Sequence, residues 1–430
     1  MADREITVEI TALGARGDGI AETADGRVFV PFAAPGDRLR VRLVRDRDMP
    51  RGDIIERLAD GPDRAAPCCS HFTVCGGCVA QHLSNAAYRD WKRGIVRAAL
   101  AHRGIDPAVV GPLSPGGPGR RRRARLRARR TVGGVVLGFY EARSHRIVDL
   151  AECPVTAARI VALFGPLRGL FAALLAAGEG AEAAATLCAA GLDLTIAAPG
   201  EPDLAMRERL AEFADVHDLA RLNWQRLRTG RGVARDIQTV VRRRAAEVRF
   251  GPVAVEPPPD AFLQPTVEGE AVLRDGAMAA LAGAGRIADL YAGCGAFALP
   301  LAAMGAHVAA FDSAADHIAA LEAGARLGGL GEFVAAETRD LDRRPLTADT
   351  LASFDGVVLD PPRGGAAAQV RQLAEGAAPT IVYVSCNPAS FARDARALID
   401  GGYALESVLP VDQFLYTPHM ELVGVFRKAR

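Results

Sequence analysis

A chain of 430 residues, half of them hydrophobic, is long enough for two or three globular domains with substantial cores. Its Ala- and Leu-rich stretches are interrupted by Gly, Pro and Arg, which excludes a membrane-spanning helix. No apolar run follows its first residues, which excludes a secretory signal and predicts a cytoplasmic protein. Residues 1–250 carry a net charge of +10 and residues 251–430 one of −9, which indicates a polyanion-binding part beside a separate catalytic domain, unless the arginines only form a solvated surface.

Residues 5–58 alternate between apolar and polar side chains and contain glycines at frequent turns. This period-two pattern predicts a small antiparallel β-barrel. Gly-x-Gly-Ile-Ala at 17–21 and Val-Phe-Val-Pro-Phe-Ala-Ala-Pro-Gly-Asp at 28–37 resemble a TRAM domain, which is a small RNA-binding barrel. A barrel that binds no ligand is the alternative.

A cluster of cysteines follows the barrel. Cys69, Cys75 and Cys78 are separated by five and then two residues, and Cys153 stands alone before a proline. Four thiolates can hold either a zinc ion or an iron–sulfur cluster, since both are soft centres that prefer sulfur. The spacing slightly favours zinc, whereas the Cys-Pro pair favours iron–sulfur. Cys68 could replace Cys69 in the set.

Eight arginines lie within residues 120–130. If residues 123–130 form a strand, Arg123, Arg125, Arg127 and Arg129 share one face and could follow a phosphate backbone. A solvated charged face is the alternative.

Three consecutive prolines at 257–259 mark a domain boundary. Six apolar runs separated by helical patterns follow them, at 286–291, 308–311, 333–336, 356–359, 381–384 and 421–426. This alternation predicts a doubly wound α/β sheet.

The first of these strands leads into a glycine-rich turn, Asp289-Leu-Tyr291-Ala-Gly293-Cys-Gly295, and Asp312 closes the next strand. Such glycines allow close approach of a cofactor, and an acid at that place can bind ribose hydroxyls. The turn fits NAD and S-adenosylmethionine almost equally, and a turn without a cofactor is a third interpretation.

Cys386 ends the run Ile-Val-Tyr-Val-Ser, which Asn387-Pro388 then stops. The carboxyl end of a strand is where open α/β sheets place their ligands, so Cys386 is a candidate nucleophile. Taken alone, it could equally be a buried strand cysteine.

Three motifs of the last domain together resemble the RNA uracil-5 methyltransferases. They are Asp360-Pro-Pro-Arg, Ser385-Cys386-Asn387-Pro388 and Pro418-His419-Met420-Glu421 with the strand that follows. The resemblance extends over essentially the whole chain and implies three domains. These are a TRAM barrel (antiparallel, OB-like) at 1–60, a central α+β domain with an iron–sulfur insert and a basic RNA-binding strand at 61–256, and a Rossmann-like class I methyltransferase domain at 257–430.

The resemblance also assigns the cofactors. In that family the insert carries a 4Fe-4S cluster, and its ligands match Cys69, Cys75, Cys78 and Cys153. S-adenosylmethionine would be bound by a second set, which matches Gln264, Tyr291, Asp312, Asp340 and Asp360. The family usually has Glu at 312 and often has Asn at 296 and 266, where this chain has Asp312, Ala296 and Thr266. These departures affect hydrogen bonds to the cofactor and leave the chemistry unchanged.

Carbon 5 of uracil is too weak a nucleophile to accept a methyl group unaided. A thiolate that adds to carbon 6 makes carbon 5 reactive, and the resemblance assigns that role to Cys386. A base must then remove the hydrogen from carbon 5, and the resemblance assigns that role to Glu421, which would otherwise be interpreted as a surface residue at a strand entry.

The sequence therefore predicts an enzyme that methylates carbon 5 of a uridine in RNA with S-adenosylmethionine. The target base must leave its stack, so we expect a single-stranded loop held by the basic barrel and the arginine strand. We expect 23S ribosomal RNA, with transfer RNA as the alternative. A catalytically inactive RNA-binding protein with an iron–sulfur cluster is the rival from another class.

Overall fold

The computed structural model describes residues 4–46, 49–227 and 236–428. They form three large sheets that follow one another along the chain, and a short two-stranded sheet between the second and the third. None of the helices in these ranges combines the length and the apolar character that crossing a membrane requires.

The first sheet has six strands in the order β1-β5-β6-β4-β3-β2. They are β1 (Glu5–Glu9), β2 (Ala12–Leu13), β3 (Gly19–Thr23), β4 (Gly26–Val30), β5 (Arg38–Asp46) and β6 (Met49–Ala59). Alternate residues of β1, β3, β4 and β5 face a small apolar core that includes Val8, Val30 and Leu39, to which the described side chains of β6 do not contribute. The pairings are antiparallel as predicted, except that β4 and β6 meet in parallel at Phe29 and Arg51.

The cysteine-containing insert is followed by α1 (Asn85–Ala101) and a short 3-10 helix, Pro107–Val109. The Ser84 side chain caps α1 by accepting a hydrogen bond from the Ala87 amide at 3.2 Å. Buried residues recur along α1 at helical spacing, from Tyr88 to Leu100. The core that this helix enters was not expected from the sequence, as described below.

The second sheet has the order β12-β11-β10-β9-β7-β8. Its strands are β7 (Arg123–Thr131), β8 (Gly134–Gly138), β9 (Gly180–Cys188), β10 (Gly191–Ala198), β11 (Leu219–Arg226) and β12 (Ile237–Arg242), and its helices are α2 (Ala158–Val161), α3 (Phe164–Leu174) and α4 (Leu204–Val216). The helices cover one face around Leu126, Phe171 and Ile196. A short hairpin of β13 (Val248–Phe250) and β14 (Val253–Val255) follows and packs on the next domain.

The third sheet has the order β17-β16-β15-β18-β19-β21-β20. Its strands are β15 (Arg286–Leu290), β16 (His307–Asp312), β17 (Val334–Thr338), β18 (Gly356–Leu359), β19 (Thr380–Ser385), β20 (Tyr403–Val411) and β21 (Glu421–Lys428). The helices are α5 (Val267–Ala280), α6 (Ala298–Ala303), α7 (Ala315–Leu327), α8 (Ala348–Leu351), α9 (Ala367–Glu375) and α10 (Pro388–Asp400). The first five strands are parallel, and β21 runs antiparallel to both of its neighbours. The doubly wound sheet is thus confirmed, with β20 as a seventh strand that the sequence pattern did not reveal.

The third core also contains residues from early in the chain. Val96 and Leu100 of α1, with Ile105 and Val110, pack with Leu398 and its neighbours. Residues 110–114 then run parallel to β20, as shown by the bond from the Gly111 amide to the Val408 carbonyl at 2.9 Å. Each large sheet lies within one range of the predicted division 1–60, 61–256 and 257–430, while α1 belongs by packing to the last. The division itself stays a prediction.

Candidate active site

Two strand ends bring the predicted nucleophile and the predicted base together. Antiparallel pairing places Ser385, the last residue of β19, opposite Leu422, the second residue of β21. The next residues outward are Cys386 and Glu421, so they occupy neighbouring positions at the same edge of the sheet. That edge is also the carboxyl end of β15 and β18, where the strand order reverses and open α/β sheets form their crevice.

Cys386 lies between a buried strand and a helix. Asn387 caps α10 by accepting a hydrogen bond from the Ala389 amide at 3.1 Å, and its amide nitrogen donates to the Arg363 carbonyl at 3.0 Å. Burial raises the pKa of the Cys386 thiol to about 11, and the carboxylates of Glu421 and Asp360 act in the same direction. Arg363 opposes this shift. The thiol is therefore protonated at neutral pH in the protein without ligands.

Three acidic side chains, of which Asp289 and Glu421 are buried and Asp360 is partly buried, lie around this edge without an arginine or lysine partner in the part of the chain that the structure describes. Burial raises the pKa of Asp360 to about 7, against which the hydrogen bond from Gln264 acts. Burial also raises the pKa of Glu421 well above its ordinary value, with a further contribution from Asp360. Asp289 is fully buried, and burial raises its pKa strongly; the Ala298 amide lies near it without forming a hydrogen bond of ordinary geometry. A cationic ligand bound near these three carboxyl groups would stabilise their charged forms.

Gln264 links this carboxylate group to a loop. Its amide nitrogen donates to Asp360 Oδ2 at 3.0 Å, and its amide oxygen accepts from Gln413 Nε2 at 3.1 Å. The Gln413 oxygen in turn accepts from the Thr266 amide at 3.2 Å. Gln413 belongs to residues 412–420, which connect β20 to β21 and are called the 412–420 loop below.

The glycine-rich turn after β15 has an unusual backbone. Tyr291, Gly293 and Gly295 all have positive φ values, of 64°, 53° and 98°. Asp312 fixes this turn, because its carboxylate accepts hydrogen bonds from the amides of Gly293 and Ala314, both at 2.9 Å. Glycine permits the left-handed conformation at little cost, whereas Tyr291 adopts it under constraint from its neighbours.

Two further acids lie after β17. The Tyr291 hydroxyl donates to Asp342 Oδ1 at 3.1 Å. Asp340 accepts from the amides of Asp342 and Arg343 at 3.1 and 3.2 Å, so it orders the turn that presents Asp342. The predicted cofactor residues Tyr291, Asp312, Asp340 and Asp360 thus lie at or just beyond the ends of β15 to β18, and Gln264, from the loop before α5, joins them through its bond to Asp360.

The four predicted cysteine ligands line one cavity of about 560 Å³. Cys69, Cys75 and Cys78 come from the insert, and Cys153 comes from the loop before α2. The opposite wall is formed by the 412–420 loop, including Phe414 and His419. Within the described ranges, no three His, Cys, Asp or Glu side chains are placed so as to hold a single metal ion.

The arginines of β7 alternate with buried residues, so the prediction that Arg123, Arg125, Arg127 and Arg129 share one face is confirmed. Their partners differ. Arg123 donates to the Leu263 carbonyl at 3.2 Å and lies over the Phe262 ring, and Arg125 pairs with Asp260 and Glu182. Arg127 also pairs with Glu182, whereas Arg129 is exposed. Three of these four arginines therefore contact the chain itself, and only Arg129 is exposed.

Comparisons with known proteins agree with this architecture. A family described as tRNA (Uracil-5-)-methyltransferase matches residues 252–430, and the TRAM domain family matches residues 2–49. An uncharacterized RNA methyltransferase of Brucella suis is 42% identical over 425 residues, which cover 98% of each chain. The 23S rRNA (uracil(1939)-C(5))-methyltransferase RlmD of Chromohalobacter salexigens is 33% identical, over 96% of this chain and 87% of that protein.

The chain belongs to the RNA uracil-5 methyltransferase family. Its fold is similar to that of the Pyrococcus abyssi tRNA (uracil-54, C5)-methyltransferase in complex with S-adenosyl-L-homocysteine, with a TM-score of 0.78 and 25% identity. That match covers 98% of this chain and 100% of the other. The predicted fold class and enzyme class are thereby confirmed.

Uracil-5 methyltransferases of this family depend on S-adenosylmethionine, and the site fits such a cofactor. Its sulfonium is a cation, which suits a crevice where Asp289, Asp360 and Glu421 have no basic partner among the described residues. The open space at the Cα of Gly293 also leaves room beside the turn. The individual contacts assigned to Gln264, Tyr291, Asp312, Asp340 and Asp360 stay predictions.

Some residues of the methyltransferase site were not found from the sequence. Gln413 precedes the Pro418-His419-Met420-Glu421 motif in its loop, and its hydrogen bonds with Gln264 and the Thr266 amide reveal it. Arg122 was counted among the basic residues, but it is buried and donates to the Gln264 carbonyl at 2.9 Å. Thr266, noted as a departure from the family, caps α5 by accepting from the Gly269 amide at 3.1 Å.

The raised pKa of Cys386 predicts slow alkylation at neutral pH. The reactive form is the thiolate, so the rate with iodoacetamide should rise about tenfold per pH unit from roughly pH 7 to roughly pH 10, because the thiol pKa lies at about 11. Mass spectrometry of the peptide that contains Cys386 measures this rate. Glu421→Gln removes one of the carboxylates and should shift the curve to lower pH. A plateau near the ordinary thiol pKa in the unsubstituted protein would contradict the structure.

Proposed function

We propose that the enzyme methylates carbon 5 of a uridine in RNA through a covalent bond between Cys386 and carbon 6 of the base. The observation that carries this proposal is the neighbouring placement of Cys386 and Glu421 at the carboxyl edge of β19, beside the partly buried Asp360. A nucleophile and a base on adjacent strands can act on adjacent carbons of one ring.

The reaction begins when Cys386 loses its proton and its sulfur bonds to carbon 6. The electron pair of the double bond between carbons 5 and 6 shifts into an enolate, which makes carbon 5 nucleophilic. When bound, S-adenosylmethionine would supply the methyl group that carbon 5 accepts and would leave as S-adenosylhomocysteine. Glu421 then takes the proton from carbon 5, the double bond forms again, and the bond between sulfur and carbon 6 breaks. One proton is released per methyl group transferred.

The environment of Glu421 suits this role. A base is more effective when its pKa is near the working pH, and burial raises the pKa of Glu421 above the ordinary carboxylate value. One of its oxygens, Oε2, is buried and has no hydrogen-bond partner within the described ranges, so it is available to accept a proton.

The proposed substrate is 23S ribosomal RNA. Support comes from the relative that is named for that RNA, which is 33% identical over 96% of this chain, compared with 25% for the structure named for transfer RNA. We further propose that the protein acts in the cytoplasm. Mapping of 5-methyluridine in both RNAs from a strain that lacks the gene tests the choice. Loss of a single ribosomal site is expected, and loss restricted to transfer RNA would overturn it.

The cysteine cavity is proposed to hold a 4Fe-4S cluster. Four thiols line it, yet they are not gathered around one point as a tetrahedral zinc ion requires, and a four-iron cluster presents well-separated corners to its ligands. When bound, the cluster would cross-link the insert to the loop that carries Cys153. We assign it no part in the methylation steps, which consume no electrons.

Anaerobically purified protein is therefore expected to contain about four iron atoms per chain and to absorb broadly near the visible boundary. Cys153→Ser should lose most of this iron. Cys188→Ser is the matched control, because Cys188 lies on β9 and does not line the cavity. One zinc per chain without iron would contradict the proposal.

The proposed RNA contacts include the exposed end of the β7 arginine face. Arg129→Ala should weaken RNA binding and reduce the slope of log affinity against log salt by about 0.7 to 0.9, the value expected for one lost phosphate contact. Arg125→Ala is the comparison variant, because Arg125 is already paired with Asp260 and Glu182. Filter binding at several salt concentrations measures both. Equal slopes for Arg129→Ala and the unsubstituted protein would identify a solvated face.

The rival function, a catalytically inactive RNA-binding protein, predicts RNA binding without methyl transfer. Incubation of the purified enzyme with labelled S-adenosylmethionine and unmodified ribosomal RNA distinguishes the two. Incorporated label at a uridine supports the enzyme, and binding without label would support the rival.

A further inference from the structure

A fully buried lysine holds the loop that joins the cofactor site to the base. Lys92, on α1, has no exposed surface. Its ammonium lies 2.9 Å from Asp412 Oδ1 and donates to the backbone carbonyls of Thr417 at 2.9 Å and Phe414 at 3.4 Å, and to that of His419. All four partners belong to the 412–420 loop.

A tyrosine one turn earlier on α1 completes the attachment. The Tyr88 hydroxyl donates to Asp412 Oδ2 at 2.6 Å and accepts from the Tyr416 amide at 2.9 Å. Tyr416 has a left-handed backbone with φ of 61°, and its carbonyl accepts from the Val79 amide at 2.8 Å. The loop is therefore fixed on one side by α1 and the cysteine insert.

The other side of the loop faces the reaction. Gln413 contacts Gln264, which contacts Asp360, and the loop ends directly at Glu421. Lys92 binds Asp412, whose neighbour Gln413 contacts the proposed cofactor residue Gln264. Lys92 also binds the carbonyl of His419, which lies two residues before the proposed base, Glu421.

Packing alone does not account for a lysine at this place. Lysine is almost never fully buried unless it is paired, because removal of its charge from water is costly, and an apolar residue of similar volume would fill the space more favourably. Burial lowers the pKa of Lys92, and Asp412 opposes the shift. An apolar residue could not bind a carboxylate and three carbonyls of one irregular loop at the same time, as Lys92 does.

We propose that Lys92 is a positioning residue for the methylation reaction, which sets the 412–420 loop so that Glu421 faces carbon 5 of the base and Gln413 holds Gln264. The proposal rests on the proposed function. It predicts that loss of Lys92 affects the removal of the carbon-5 proton more than the initial attack by Cys386, whose position is set by β19 and α10.

The test is Lys92→Met in the full-length enzyme, alone and with Asp412→Asn, which removes the unpaired buried carboxylate. Single-turnover reactions with unmodified RNA measure two quantities, the covalent protein–RNA adduct and the released methylated RNA. The ratio of adduct to released product is expected to rise at least tenfold, and cofactor affinity should fall several-fold through Gln413. Arg93→Met is the matched control, because Arg93 is on the same helix but donates to the Val110 carbonyl at 2.7 Å, outside the loop. Its ratio should be unchanged.

A purely structural role for Lys92 would lower the amount of folded enzyme without changing that ratio, so an unchanged ratio in folded Lys92→Met overturns the proposal. If neither Lys92 variant folds, Tyr88→Phe decides the question, since it removes one hydroxyl and its two bonds to the loop. We expect it to raise the ratio by a smaller factor, and an unchanged ratio there overturns the proposal as well. Absence of any methyl transfer by the unsubstituted enzyme would instead contradict the proposed function.

Discussion

Glu421→Gln is expected to leave methylated RNA attached to Cys386. Glutamine has nearly the same shape as glutamate and is uncharged, so its burial at this position costs less than that of the carboxylate, and the variant should fold. It keeps attack and methyl transfer but cannot accept the carbon-5 proton, which should slow product release by about 100-fold or more. A protein–RNA complex that survives denaturing electrophoresis, and that carries the transferred methyl group, is the measurement.

Two variants make this prediction specific. Cys386→Ala removes the nucleophile and should abolish methylation and every adduct while cofactor binding remains. Glu406→Gln changes an exposed carboxylate on the neighbouring strand β20, where normal turnover is expected. Normal turnover of Glu421→Gln, or an adduct that persists when Cys386 is absent, would show that the two roles are wrongly assigned.

Arg122→Met is expected to lower the free energy of unfolding by about 3 to 5 kcal/mol, because it leaves Glu270 as an unpaired charge in the interior. Arg122 and Glu270 are both nearly inaccessible and join β7 to α5 across the two domains. Burial raises the pKa of Glu270 and Arg122 lowers it, so without Arg122 the pKa of Glu270 rises further in the folded state. The folded variant then binds a proton more readily than the unfolded chain, and the deficit should shrink as the pH falls.

Urea unfolding at several pH values measures this loss, and titration calorimetry with S-adenosylhomocysteine should show weaker binding, since Arg122 also supports the Gln264 carbonyl. Arg120→Met is the matched control. Arg120 pairs with Glu268 of the same helix at 2.9 Å, but both side chains are more than half exposed, so a loss of at most about 1 kcal/mol is expected. Equal losses in the two variants would mean that burial of the Arg122 pair has no special importance.

The sequence pattern predicted the parallel strands well because each is a short apolar run that ends at a breaker, and β18 and β19 are buried along their whole length. It did not reveal β20, whose sequence contains Glu406, Ser407 and Pro410. An edge strand tolerates polar residues, proline and the irregular register between Leu405 and Ser407, so neither alternation nor hydrophobicity marks it.

The residues of the candidate site also fall into those that the local sequence indicates and those that it does not. Cys386, Asp360 and Glu421 follow strand ends or lie in recognisable motifs, so local sequence indicates them. Lys92 and Gln413 have no such context. Their importance depends on contacts such as the one between Tyr88 and Asp412, which are 324 residues apart in the chain. No local sequence pattern indicates a contact between residues that lie so far apart along the chain.

Because α1 packs in the core of the last domain, that core can be completed only late in the synthesis of the chain. Val96 and Leu100 leave the ribosome early, but Leu398 and Tyr403, against which they pack, are synthesised some three hundred residues later. The apolar side of α1 therefore stays unpacked, either exposed or covered by a chaperone, until translation is almost complete. Closing so long a loop is slow and entropically unfavourable, so we expect α1 to dock late, and the 412–420 loop that it holds to reach its position only then.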